Sequence, residues 1–151
     1  YTTVIKRIIE RDEKNKNNAL SIIYKHRGMA YFSQGNYSLA SGDFELSEKS
    51  DPSNFRAYYY RGISLVLQEK NIEAIDEFTK SLELKANQAH VYFRRALSYY
   101  TVGSYLEALH DLDIAKNLGL DNNEMEKLRI AIAKKIDIDI IDTIIPKEDL
   151  Q

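Results

Sequence analysis

Apolar residues recur along this chain at spacings of three and four almost from end to end, the mark of amphipathic helices. Two prolines and six glycines leave few places where a helix must stop. A longer period is laid over the short one. Three stretches superimpose at an offset of 34 residues: Tyr24, Tyr58 and Tyr92 align, then Arg27, Arg61 and Arg95, then Gly28, Gly62 and Ala96. Further along each copy, Ala40, Ala74 and Ala108 match, followed by Phe44, Phe78 and Leu112, and by Ser47, Ser81 and Ala115. Large residues fall on large ones and small on small. A period of this length predicts stacked units, each burying its apolar face against its neighbours.

The copies run over about 21–54, 55–88 and 89–122, and each splits into two helices around Gln34-Gly35-Asn36, Glu69-Lys70-Asn71 or Val102-Gly103-Ser104. Asn36, Asn71 and Ser104 are the expected N-caps of the second helices, and Ser104 with Glu107 has the spacing of a capping box. Asp51-Pro52 breaks the chain between the first two copies, since the residue before proline avoids helical angles. Residues 1–20 read as a leading helix with Val4, Ile5, Ile8 and Ile9 on one side, followed by a Lys/Asn-rich linker around Lys14 to Asn18. Residues 123–136 read as a helix covering the last unit with Leu128, Ile132 and Ile136. The isoleucine- and aspartate-rich tail, 137–151, alternates like a strand yet also places Ile136, Ile140 and Ile144 four apart, with a lean towards helix.

Written as columns, the motif has an aromatic residue at position 4, Gly or Ala at 8, a large residue at 11 (Tyr31, Leu65, Tyr99), Ala at 20, Phe or Leu at 24 and a small residue at 27. It resembles the tetratricopeptide repeat over residues 21–122. Arg at position 7, and proline at position 32 only once, are the departures. The resemblance implies an all-α fold: a right-handed solenoid of three helix pairs, with a helix ahead and a capping helix behind. It also implies a protein-interaction scaffold whose first helices line a concave peptide-binding groove. On this chain that groove projects onto Lys25, His26 and Met29, then Arg56, Tyr59, Tyr60 and Ile63, then His90, Phe93, Arg94 and Leu97. No Asp or Glu falls on the projected positions, so the expected partner is a peptide segment with an acidic or free-carboxylate end and one or two apolar anchors. Some members of this family clamp chaperone tails through two Lys, two Asn and a further basic residue. Lys25 and Arg94 stand at two of those positions, but Met29 and Tyr60 replace the amides and His90 the remaining lysine.

Composition narrows the classes further. A net charge of −2 argues against a nucleic-acid partner, and no apolar run has the length of a membrane span. The absence of cysteine removes disulfides and thiol chemistry. His26, His90 and His110 occupy different columns, so no ligand set for a metal repeats, and no nucleophile or phosphate-loop motif points to an enzyme or a cofactor. The Arg27, Arg61 and Arg95 ladder is read as structural, with Asp43, Glu77 and Asp111 as its partners. The chain starts on Tyr1 rather than methionine, as an excised domain or a processed chain would. An alternative function is homotypic assembly, with Ile138, Ile140, Ile141, Ile144 and Ile145 docking on the same or a neighbouring copy.

Overall fold

The computed structural model describes residues 2–144, and every regular element among them is an α-helix. These are α1 (Thr2–Ser33), α2 (Tyr37–Ser50), α3 (Phe55–Val66), α4 (Asn71–Leu84), α5 (Ala89–Thr101), α6 (Tyr105–Asn117) and α7 (Asn123–Ile144). They form two units, α1–α4 up to Ala86 and α5–α7 from Asn87. In the first unit α1 pairs with α2, α2 packs on α3, and α3 pairs with α4. In the second, α5 pairs with α6 and α7 covers both.

The small-residue columns are the places where paired helices touch. A Cβ added to Gly28 would stand 2.9 Å from a ring carbon of Phe44, and one added to Gly62 would stand 2.6 Å from a ring carbon of Phe78. Each glycine is thus a socket for the aromatic ring of its own pair. The α5–α6 pair has Ala96 and Leu112 in the corresponding columns, both fully buried in one cluster, and there a smaller side chain leaves room for the methyl group. Ala40, Ala74, Ala108, Phe44 and Phe78 are also fully buried. On α7, Met125, Leu128 and Ile132 join the Leu112 cluster, and Ile136 packs against it.

Serine in the position-27 column does more than stay small. Ser47 Oγ donates to the carbonyl of Ser21 at 2.8 Å, Ser21 Oγ donates to the carbonyl of Ser47 at 2.9 Å, and Ser81 Oγ donates to the carbonyl of Phe55 at 2.9 Å. The Ser81 tie fastens the end of α4 to the start of α3, and the Ser47 ties fasten the end of α2 to the interior of α1.

Three local expectations need correction. Helix α1 runs unbroken from Thr2 to Ser33, so Lys14 to Asn18 form helix and not a linker. Lys and Asn cost only tenths of a kcal/mol each in a helix interior, and neither glycine nor proline interrupts the run. Asn36 and Ser104 do stand at N-caps, but without side-chain cap bonds, and Asn71 is already helical behind Lys70. The Ser104–Glu107 capping box is therefore not made. The cap residues have ψ between 61° and 70° in these turns, away from the extended angles that aim a side-chain oxygen back at the helix. The backbone closes the turns instead. Asn36 N–H bonds to Tyr31 O, Lys70 N–H to Leu65 O and Ser104 N–H to Tyr99 O, while the preceding residue bonds three back in each case. This is the Schellman arrangement, which needs a left-handed residue just past the helix. A side-chain cap does form at α7, where Asn122 Oδ1 accepts from Met125 N–H at 2.9 Å.

The left-handed residue is Gly35 or Gly103 in two of these turns, but Glu69 (φ 63°) in the other. Replacing Glu69 with glycine should stabilise the first unit by roughly 0.5–1 kcal/mol, because the Cβ strain at that φ is removed. The same change at Lys70 should give no gain, and urea denaturation of both variants checks it.

The tail leans as expected. The α7 backbone continues as helix to Ile144. The proposed docking by Ile138, Ile140, Ile141, Ile144 and Ile145 rests on side chains that lie outside the described residues.

Candidate peptide-binding face

The projected groove residues are carried on the first helix of each pair. In the α1–α4 unit, α1 presents Lys25, His26 and Met29, and α3 presents Arg56, Tyr59, Tyr60 and Ile63. His26, Met29 and Arg56 are exposed, whereas Lys25, Tyr59, Tyr60 and Ile63 are half-buried. The two tyrosines are held by aromatic packing. Tyr60 stacks on Phe44 with centroids 5.7 Å apart, Tyr59 tilts against Phe78 at 6.2 Å, and the two lie 5.3 Å from each other. A chain of rings thus joins the cores of both helix pairs and leaves one edge open. The Arg56 guanidinium lies over the ring of Phe55 at 5.0 Å, with Lys85 Nζ 4.9 Å from the same ring.

In the α5–α7 unit, His90 and Arg94 are exposed and Leu97 is half-buried against the core cluster. Phe93 departs from the projection: it is only 8% exposed and belongs to the core cluster with Ala96 and Leu112. The α-helical period places Phe93 three residues before Ala96, on the packing side of the helix. It supports the face and is not part of its accessible surface.

Two sets of cations separate cleanly. Arg27 Nε and Nη2 bond both oxygens of Asp43 at 2.6 and 2.7 Å, and Arg95 Nε and Nη2 bond both oxygens of Asp111 at 2.7 and 2.8 Å. Arg61 bonds Glu48 at 2.8 Å and also reaches Glu77 at 3.1 Å and Glu45 at 3.3 Å. The expected partners Asp43, Glu77 and Asp111 are all used. Glu48 and Glu45 were missed by sequence reasoning, since they lie in the repeat before Arg61 and outside its aligned acidic column. By contrast, among the described residues Lys25, Arg56 and Arg94 have no carboxylate within ion-pair distance.

Residues 3–137 match the family model described as the ETO1 C-terminal domain. The STIP1 homolog of Dictyostelium discoideum is 30% identical over 103 residues, which is 68% of this chain and 18% of that protein. ETO1-like protein 1 of Arabidopsis thaliana is 31% identical over 121 residues, 78% of this chain and 12% of that protein. The chain thus spans less than a fifth of either relative. Among solved structures, the first TPR of Spaghetti (RPAP3) bound to the HSP90 peptide SRMEEVD superimposes with a TM-score of 0.76 at 21% identity, covering 80% of this chain and 95% of that one. The TPR2B domain of yeast Sti1 in its pHsp70 complex gives 0.73 at 24% identity, covering 78% and 98%. At these identities the structural likeness establishes the tetratricopeptide fold.

Proposed function

The chain belongs to the ETO1 C-terminal domain family, and from that premise we propose that it is a protein-interaction module that takes a peptide segment on the first helices of its pairs. The partner segment carries an acidic or free-carboxylate end and one or two apolar side chains. One observation carries this reading: among the described residues, Lys25, Arg56 and Arg94 have no carboxylate within ion-pair distance, while the equally basic Arg27, Arg61 and Arg95 are all neutralised. Half-buried Ile63, Tyr60 and Leu97 and exposed Met29 offer the apolar contact beside those charges.

Magnitudes assign the roles. An exposed ion pair contributes about 0.2–1 kcal/mol, whereas a well-buried apolar anchor contributes roughly 1.5–3 kcal/mol. Association itself costs several kcal/mol. Affinity in the micromolar range follows, with the anchors setting its strength and the cations its polarity. With Met29 and Tyr60 at the amide positions of the chaperone-tail clamp, a tail such as SRMEEVD binds here without two of its usual donors. A peptide with a larger apolar residue next to a single carboxylate fits better.

Fluorescence anisotropy with labelled SRMEEVD, its C-terminal amide, and variants carrying Leu or Phe before a lone terminal carboxylate tests this. The expected order is apolar-anchored acid, then SRMEEVD, then amide. Joint replacement of Lys25, Arg56 and Arg94 by alanine should weaken the best peptide about tenfold, the sum of three small terms. An unchanged affinity in that variant rules the proposed face out.

A further inference from the structure

The arginine column offers a comparison within one molecule. At Arg27 and at Arg95 one guanidinium meets one buried aspartate, and charge balances. At Arg61 one guanidinium meets a buried glutamate, Glu48 on α2, and a half-buried one, Glu77 on α4, with Glu45 at the rim. The side chain of Glu48 is 7% exposed, that of Glu77 16% and that of Arg61 23%, so water reaches the cluster only at its edge. Fully ionised, Arg61, Glu48 and Glu77 would leave one uncompensated negative charge inside the first unit, a costly arrangement. Glu48 Oε1 and Glu77 Oε2 are, moreover, buried with no donor serving them. Two carboxylates can only accept, and a carboxylic acid beside a carboxylate can donate.

We propose that Glu48 and Glu77 hold one proton between them beside Arg61, and that this proton latches the joint where α2 meets α3 and α4, so that alkaline pH loosens it. The same Arg61 Nη1 meets Glu48 Oε2 at 2.8 Å and Glu77 Oε1 at 3.1 Å, which gathers the two carboxyl groups about one nitrogen. Burial first, and then the charge of Glu77, push the Glu48 carboxyl up to about 8, while burial raises that of Glu77. The other groups around the pair leave the balance in place. From α2, Glu45 is held below its ordinary range by its bond to Lys49 and by Arg61. From α3 come Arg61 and the Tyr58 hydroxyl, and from α4 Asp76, while Lys80 of α4 and Asp51 at the end of α2 act on Tyr58. Helix α1 meets α2 through the Ser21–Ser47 hydroxyls, and the charges that act most on Glu48 come from α3 and α4. When the proton leaves to solvent, two negative charges face one guanidinium across the joint. Below the unfolded glutamate value the stabilisation is fully present, and it is lost as pH rises towards 8. The latch is independent of what the peptide face binds.

The test is urea unfolding of the whole chain from pH 5 to pH 9, with His26, His90 and His110 replaced by glutamine so that no histidine titrates in the window. The unfolding constant should rise with pH by up to about tenfold per unit between 5 and 8, then level off. Glu48→Gln, which mimics the protonated acid, should flatten that slope and be more stable than the parent at pH 9. Carboxyl-carbon NMR of glutamate-labelled wild-type chain supplies a readout that needs no variant to fold: one glutamate resonance should titrate above pH 7 and be missing in Glu48→Gln. A slope that persists in Glu48→Gln, or glutamate resonances that all titrate below pH 6, overturns the proposal.

Discussion

Replacing Phe78 by alanine should destabilise the α1–α4 unit by about 3–5 kcal/mol, the cost of removing a fully buried ring and leaving its cavity. Phe78 is 0% exposed, fills the notch left by Gly62 and supports Tyr59. The notch gives the prediction a sharper form. Gly62→Ala alone should cost roughly 1–3 kcal/mol by overpacking, since the new methyl would lie 2.6 Å from the ring. In a Phe78→Leu background the same substitution should cost almost nothing, because Ala96 with Leu112 is the pairing the chain already uses elsewhere. Urea denaturation of the four proteins completes a double-mutant cycle. Strict additivity would show that ring and glycine do not fit together as described.

Removal of Arg95 should rank next. Arg95→Met should cost about 3–5 kcal/mol, because Asp111 would remain charged with its partner gone, and Asp111 is only 1% exposed. Most of that is the penalty of an orphaned charge. The double change Arg95→Met with Asp111→Leu should therefore recover most of the loss, although it removes the ion pair altogether. Arg27→Met should cost less, since the Arg27 side chain is 54% exposed against 15% for Arg95, and water can take its place over Asp43. Thermal unfolding at low and at molar salt distinguishes the sites further. Screening should weaken the Arg27 pair and leave the Arg95 pair nearly unchanged.

What could be read in the sequence was whatever repeats. The columns at Gly28, Ala40 and Phe44 are fixed by the closest approach of two helices, so three copies report one geometric constraint three times. The Arg27–Asp43 and Arg95–Asp111 pairs were legible for the same reason. Features that occur once were not. The continuity of α1 through Lys14 to Asn18 depends only on the absence of a breaker, which polar composition obscures. The turn after α3 closes on Glu69, where glycine would have announced it. Phe93 faces the core because it stands one turn before Ala96 in the same cluster, a placement that no single column states. Glu48 meets Arg61 across two repeats, and an alignment of copies compares residues within a column but never across the seam between them.

That difference bears on how such a chain tolerates rearrangement. Gly28 with Phe44, and Gly62 with Phe78, fit within single 34-residue blocks, so a block copied or moved elsewhere takes its own fit along. The Glu48–Arg61 tie belongs to no single block. Exchange of the first block for a duplicate of the third would keep the fit inside each block and yet set a lysine, the counterpart of Lys116, where Glu48 meets Arg61, so the order of blocks is recorded in the seams.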